Sequence, residues 1–322
     1  MNDLKVIFVN WTRPFFFKED AQGYNKLKMF NLPDFEYDVV DYELLIQKVA
    51  VLNAKKNIGR TKLYTDKIGY EFYNKKGMLK LWDEIDVDVL EKFNHDYPEI
   101  SPGRFWTSGK SIVMGQEPTP YLFLDLDFIV RSPLPNWVYH HDVVHTQWEV
   151  QRGEFFVFEW QLDEIGGIED FVQNMMMPNT SFVYMNNEEI RDDYLKKHLS
   201  IITRKYEKVP EWLWLLADQG ILGYSIRKFK ANVETIENRI YMSYPELPVK
   251  DNPLVGKGLF WVKDPDRIDH KSNLSYDHIW LDKYYFKTDQ TYREIRVKEL
   301  ENELEDLINP DRNKIKIQKS II

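Results

Sequence analysis

YLFLDLDFIV, residues 121–130, ends a continuously apolar run with two carboxylates, Asp125 and Asp127, one residue apart. The run from Tyr121 to Leu124 has the pattern of a central parallel strand buried on both faces. Residues two apart in an extended chain point to the same side of the pleat, so both carboxylates are expected on one side. Two like charges there repel, and one carboxyl is raised in pKa unless a cation neutralises the pair. A divalent metal does so and makes a seat for phosphate oxygens. Open α/β sheets bind ligands at strand carboxyl ends, where this pair lies. The structural alternative is two carboxylates capping helices or turns at a strand exit. An isolated D-x-D does not separate the two.

The chain around this stretch is long enough to bury a full core. Its 322 residues suffice for one large α/β domain or two smaller ones. With 43 basic against 52 acidic residues the net charge is −9, so a broad phosphate-backbone footprint is not expected and a nucleic-acid acceptor is disfavoured. There is no cysteine, which removes disulfides, thiolate zinc sites and cysteine nucleophiles and fits a reducing compartment. A metal would have to be held by Asp, Glu, His, Asn or backbone oxygen, which favours Mg2+ or Mn2+ over structural zinc. Aromatics make up 15% of the residues, a supply that suits core packing and the binding of flat or sugar-like ligands alike.

MNDLKVIFVNW (1–11) lacks the long apolar region and small-residue cleavage site of a signal peptide. No window approaches the roughly 18 consecutive apolar residues of a membrane span. The protein is therefore expected in the cytoplasm, and the sequons at Asn10, Asn179 and Asn273 are expected to be fortuitous. The tail DRNKIKIQKSII (311–322) is basic and apolar. It reads as a frayed or docked end before a membrane anchor, and leaves peripheral membrane association open.

LKVIFVN (4–10) is a β-rich run stopped by WTRP, a first buried strand followed by a loop. DVVDYELLIQKVAVLNAKKNIG (38–59) has helical apolar spacing and ends at Gly59, an expected helix C-cap. TKLYTD (61–66) reads as a second strand, GYEFYNKKGM (69–78) as the start of a helix, and WDEIDVDVL (82–90) as an edge-like segment or loop. FWTSGKSIVMGQ (105–116) reads as a helix directly before the D-x-D strand. DVVHTQWEV (142–150) and NTSFVYMN (179–186) read as further strands, and EEIRDDYLKKHLSIITRKY (188–206) as a long amphipathic helix. EWLWLLADQGILGYSI (211–226) reads as another helix, broken near Gly220.

This alternation predicts an α/β sheet covered on both faces. No internal repeat or low-complexity linker divides the chain, and the one clear boundary falls near residue 288. Beyond it, YREIRVKELENELEDLI (292–308) spaces Val297, Leu300, Leu304 and Leu307 as an amphipathic helix. Such a helix either packs on the domain or pairs with another chain as a homo-oligomer.

Two chemistries use a D-x-D after a hydrophobic strand. FLDLDFIV (123–130) resembles the motif of haloacid-dehalogenase-type phosphatases, in which the first Asp, here Asp125, is the nucleophile and the second an acid/base. In that family the motif lies near the chain start and continues with a Gly-Thr-type turn. Here 124 residues precede Asp125, Phe128-Ile129 replace the turn, and no later strand ends in a Gly-Asp-x-x-x-Asp-like cluster. The stretch also resembles the D-x-D motif of GT-A-fold glycosyltransferases, where a mid-chain strand ends in Asp-x-Asp and the metal bridges the diphosphate of a nucleotide sugar. The ordered series YTDKIGYE (64–71), FWTSGKSIV (105–113), FLDLDFIV (123–130), NTSFVYMNN (179–187) and ADQGIL (217–222) extends this second resemblance over about residues 4–285. It is similar to sugar transferases near the glycogenin and lipopolysaccharide-galactosyltransferase group, and more closely to bacterial and phage glycosyltransferase-like proteins.

The resemblance implies a GT-A fold over residues 1–287: a mixed, mostly parallel central sheet with helices on both faces. A C-terminal helix and basic tail would follow over 288–322. It implies a nucleotide-sugar donor, a UDP-sugar before others, a bound Mn2+ or Mg2+, and a glycan, lipid-linked saccharide or other hydroxyl as acceptor. Asp125 and Asp127 would hold the metal. Related enzymes use a late His as third ligand and a following Lys to grip the diphosphate. His278 and Lys283 of SYDHIWLDKYYF (275–286) fit those roles, with His270 competing for the first. An imidazole with two carboxylates suits Mn2+ in particular.

Asn10-Trp11-Thr12, at the end of the first strand, would hold the nucleobase or form a turn. Asp66 would accept from base or ribose, or cap a helix. Lys110 would reach phosphate or sugar as a point charge, or stand as a solvated helix lysine. Asn179 would line the donor sugar, although Thr180-Ser181 departs from the small-Gly pattern that allows close backbone approach. Asp218-Gln219 match an Asp-Gln pair that begins an acceptor-side helix. A carboxylate there orients the acceptor hydroxyl, takes its proton or stabilises an oxocarbenium-like transition state. A non-catalytic nucleotide-sugar or glycan-binding module on the same fold is the alternative.

Overall fold

The computed structural model describes residues 4–16, 36–151, 176–204, 213–237, 239–243, 259–263, 274–279 and 282–310. His270 and the tail 311–322 lie outside the described residues, as does the side chain of Lys283.

The central sheet is built from β1 (Lys5–Asn10), β2 (Thr61–Thr65), β3 (Glu84–Asp86), β4 (Tyr121–Leu124), β6 (Val143–His145), β9 (Phe182–Met185) and β10 (Val233–Thr235). Their order is β10-β6-β9-β4-β1-β2-β3. β9 runs antiparallel to both neighbours, β4 and β6, and every other pair is parallel. The expected mixed, mostly parallel sheet is therefore present.

The alternation of β4 shows why it is central. Tyr121 and Phe123 pack with α3 (Asp88–Asp96), α4 (Ser108–Gln116), α5 (Glu188–Ile202) and the helical run α6 (213–228) on one face. Leu122 and Leu124 pack with α1 (Asp41–Asn57) and α2 (Lys67–Lys75) on the other. Burying each such side chain stabilises the fold by about 1.5–3 kcal/mol, which only a strand covered on both faces can collect from consecutive residues.

Chain order reverses between β1 and β4: β2 and β3 extend the sheet one way from β1, and β4 starts the other half. The carboxyl ends of two diverging strands leave a crevice at that point, the usual ligand site of such sheets.

The D-x-D stretch is not one strand. β4 ends at Leu124, and Asp125 to Asp127 form a turn closed by the Phe128 N–H donating to the Asp125 C=O (2.9 Å). Phe128–Val130 then makes β5, which pairs antiparallel with β13 (Tyr276–His278) in a separate two-stranded sheet. The two carboxylates are thus presented by a turn, not on one side of a pleat. A straight continuation would have carried both charges against a packed helix layer, where ionised groups are costly.

The expected strand over 142–150 likewise splits. β6 stays in the main sheet, while β7 (Trp148–Gln151) joins β8 (Met176–Pro178), β11 (Arg239–Ser243) and β12 (Leu259–Lys263) in a four-stranded sheet. His145 Nδ1 meets the Gln147 C=O (3.0 Å) at the corner between them. Asn179 lies in the turn between β8 and β9 and does not open the strand.

The segment 82–90 holds the edge strand β3 and then runs into α3. Gly59 is not the C-cap of α1; Ile58 is. Gly59 is required for another reason, since a Cβ there would lie 2.2 Å from the Leu4 carbonyl oxygen. α6 is not broken at Gly220; a π-turn over Leu216–Gly220 widens it, and the helix continues through Ile221–Lys228.

After α7 (Asp282–Thr288), α8 (Gln290–Ile308) lays Leu300, Val297, Leu304 and Leu307 against Ile46, Val49 and Ala50 of α1. The apolar face that was a candidate for pairing with another chain is therefore covered by its own domain. Among the described residues no helix is long and apolar enough to cross a membrane.

Candidate functional site

β4 and its turn bring Asp125 and Asp127 to the crevice, and β13 brings His278 from the far end of the chain. The β5–β13 ladder sets His278 opposite Phe128, and the Ile279 N–H donates to the Asp127 C=O (3.1 Å). One ligand atom from each of Asp125, Asp127 and His278 lies within 4.8 Å of the others. His278 Nε2 is 4.0 Å from Asp127 Oδ1.

Lys110, in the first turn of α4, stands between two carboxylates. Its Nζ is 3.6 Å from Asp125 Oδ1 and 3.6 Å from Asp218 Oδ2, and it donates to the Thr180 C=O at 3.4 Å. Its position follows from its neighbour Gly109: a Cβ there would lie 2.5 Å from Trp11 Cβ, so only glycine lets α4 rest on the end of β1. Burial works against the Lys110 charge, but Asp125 and Asp218 outweigh it and hold the ammonium above its ordinary pKa. Burial pushes the Asp125 carboxyl up; Lys110 opposes this and Asp127 adds to it.

Asp125 and Asp218 share the Lys110 ammonium here, and Asp127 stands beside them with the His278 imidazole. Two carboxylates with one imidazole are a donor set that would suit a divalent cation such as Mn2+. The residues fit such an ion.

Asp218 is 1% exposed and fully engaged. It accepts from Thr180 Oγ1 (3.2 and 3.3 Å) and from the Tyr194 hydroxyl (3.2 Å), whose oxygen also lies 2.7 Å from Ser111 Oγ. The π-turn places the adjacent Gln219 beside Glu149 of β7. Glu149 is buried and accepts from Asn179 Nδ2 (2.7 Å), Gln147 Nε2 (3.1 Å) and the Gln219 side chain. Burial raises its pKa, the three amides lower it, and nearby Asp218 raises it again. By accepting from the Gln219 amide, Glu149 leaves Gln219 Oε1 buried with no partner.

Glu149 and Tyr194 were not among the residues singled out from sequence, and Thr180 was noted only as a departure from the small-Gly pattern. For Glu149 a signal exists: His145, Gln147 and Glu149 put a polar residue at every second position of a run whose members are nearly all buried.

At the ends of β1 and β2 the picture differs. Asp66 is 2% exposed, caps α2 by accepting from the Gly69 N–H (3.0 Å), and accepts from both the N–H (2.9 Å) and hydroxyl (2.8 Å) of Thr12. Burial raises its pKa against those bonds. Trp11 packs on Phe93 at 5.4 Å and donates its indole N–H to Asn94 Oδ1 (2.8 Å). Asn10 accepts from the Tyr37 hydroxyl (2.9 Å), while its Nδ2 is buried without a partner. The structure therefore brings Lys110, Asp218, Asn179 and Gln219 to the same end of the sheet as Asp125, Asp127 and His278. It turns Trp11, Thr12 and Asp66 inward.

No protein-family model and no curated protein matches the chain. Solved structures are similar to it at low identity. The PaToxG glycosyltransferase is 14% identical over 70% of this chain and 69% of its own, with a TM-score of 0.38. The glycosyltransferase GlyE of Streptococcus pneumoniae TIGR4 is 15% identical over 73% of this chain and 46% of its own, with a TM-score of 0.35. Mouse xyloside xylosyltransferase 1 in its apo form is 16% identical over 69% of this chain and 79% of its own, with a TM-score of 0.33. The chemistry has to be read from the side chains of this chain.

Proposed function

We propose that the chain is a metal-dependent GT-A glycosyltransferase. It would move a sugar from a nucleoside-diphosphate sugar, a UDP-sugar before others, to a hydroxyl of a glycan or lipid-linked saccharide. The observation that carries this reading is the meeting of Asp125, Asp127 and His278 at the carboxyl end of the central strand, beside the crevice where chain order reverses. A Mn2+ or Mg2+ ion held by these three would supply the positive charge that a departing diphosphate needs.

Lys110 would meet an anionic oxygen of the donor as a fixed point charge. Lys283, five residues past His278 in α7, would grip the diphosphate. Asp218 would stabilise positive charge developing at the anomeric carbon or orient the acceptor hydroxyl. The amides of Asn179 and Gln219 would hold sugar hydroxyls, with Gln219 Oε1 an acceptor left open for one of them. Asn10, whose Nδ2 has no internal partner, would meet the base.

The test is release of nucleoside diphosphate from a panel of nucleotide sugars. Turnover is expected with Mn2+, and none with a chelator or in Asp127→Ala. One observation favours a second reading, a binding module without catalysis: the Thr180 side chain sits on Asp218, where the resembled enzymes bring up a small residue. Saturable binding of a nucleotide sugar with no turnover under any metal would establish that reading instead.

A further inference from the structure

We propose that α8 belongs to the metal site at one remove: Arg296 and Glu303, together with Arg131, clamp Asp277 and so fix its neighbour His278 in place as a ligand. This rests on the reading of Asp125, Asp127 and His278 as a metal seat.

Among the described residues, β13 has three residues and one partner strand, β5. A pair so short is marginal by itself, so something else must hold His278 at the turn. Neighbours along a strand point to opposite faces. Tyr276 and His278 both lie on the Phe128 ring, with ring centres 5.3 and 5.2 Å away. Asp277 faces the other way, towards α8.

There Asp277 Oδ2 accepts from Arg296 Nη2 (2.7 Å) and from Arg131 Nη2 (3.5 Å). Arg131 is itself gripped by Glu303, through Nε to Oε1 (3.0 Å) and Nη2 to Oε2 (3.0 Å). Glu303 also accepts from Asn53 Nδ2 of α1 (2.8 Å). The Arg131 N–H donates to the Ser275 C=O (2.7 Å), so the backbone is tied at the same point.

All four charged side chains are between 22% and 29% exposed, and the Arg131–Glu303 pair is two-pronged. Such a partly sheltered network holds geometry better than an isolated surface pair, because each charge has its position set by more than one partner. Leu300, 1% exposed against α1, anchors the helix that carries two of the four. Asp277 is thus a positioning residue: it touches no ligand, and it acts through the residue next to it.

The test is a Mn2+ titration of the full-length protein, read from the electron-paramagnetic signal of free Mn2+. Asp277→Asn and Arg296→Ala are expected to weaken Mn2+ binding by about 10-fold, the lower end of what loss of an outer-sphere partner costs. Arg296→Lys is expected to recover most of that loss. Glu303→Gln keeps an acceptor for Asn53 and is expected to weaken binding in the same direction, which tests the clamp even if Asp277→Asn does not fold. Asp193→Asn, in the ion cluster with Lys197 and Lys228 that touches none of the three ligands, is expected to leave Mn2+ affinity unchanged.

Wild-type affinity in a folded Asp277→Asn protein, with binding still abolished by Asp127→Asn, overturns the clamp and leaves the seat intact. Absence of Mn2+ binding in the wild type, with and without nucleotide, removes the seat and the clamp with it.

Discussion

Two neighbouring clusters of polar side chains stand at the same edge of the sheet and differ in how they are satisfied. At the ends of β1 and β2, Asp66, Thr12 and Gly69 complete one another: a single buried carboxylate takes three protein donors. At the end of β4, Asp125 and Asp218 share one lysine, and Asp127 stands 4.0 Å from a histidine. The first arrangement finishes a fold. The second gathers acids and an imidazole that would take a cation, and that gathering at a strand carboxyl end is what points to a site.

The contrast makes opposite demands on substitution. Asp127→Asn is expected to cut metal-dependent transfer by about 1,000-fold, roughly 4 kcal/mol of transition-state stabilisation, because the leaving diphosphate loses its counter-charge. The melting temperature of the same variant, taken without metal, is expected to stay level or rise, since one of two repelling charges is gone. A fall in melting temperature with retained transfer would reverse the two roles.

Asp66→Ala is the mirror image. It strands the Gly69 N–H, the Thr12 N–H and the Thr12 hydroxyl in a buried place, and is expected to cost about 3 kcal/mol in denaturant unfolding. Transfer per folded molecule is expected to change far less than in Asp127→Asn. A large loss of transfer with normal stability would instead give Asp66 a contact with the donor.

Much of this was legible in the sequence, for identifiable reasons. The central strand was legible because YLFL is a short continuous apolar run bounded by Pro120 and the acids, and the covered sheet followed from strand–helix alternation. The turn inside FLDLDFIV was not legible. Phe128 to Val130 are as apolar as the strand before them, and only the pairing of β5 with β13, some 150 residues away in sequence, shows where the chain leaves the sheet. His278 could be named but not placed, because that same long-range pairing delivers it. Glu149 was missed since a single acid in a β-rich run looks like a solvent-facing residue until the second sheet covers it. The π-turn was read as a break because the glycine was visible and the widened turn was not.

The buried histidines give a third comparison, between polar groups that are neutral and those that are charged. Burial lowers the pKa of His145 to about 3 and that of His198 to about 4, in each case against a backbone carbonyl bond. Both are neutral when folded, whereas the unfolded chain takes up protons below about pH 6.5. The folded state therefore binds fewer protons between these values, and stability falls as pH drops through that window. From pH 7 to pH 5 each is expected to cost about 2 kcal/mol, seen as a falling melting temperature that His198→Gln flattens by one group's share. An acid profile unchanged by that substitution would mean His198 is charged in the fold.

The smallest effect is expected for Thr12→Val. It removes one of the donors to Asp66 and leaves the backbone bond in place, for a loss of about 1 kcal/mol in stability and none in metal affinity.

Asp125, Asp127 and His278 would form one metal seat. It is tested most directly by the anomalous scattering of a crystal grown with Mn2+ and a nucleoside diphosphate. One strong peak bonded to all three side chains at about 2 Å is expected. A peak elsewhere, or none at this turn while the nucleotide is bound, would contradict it.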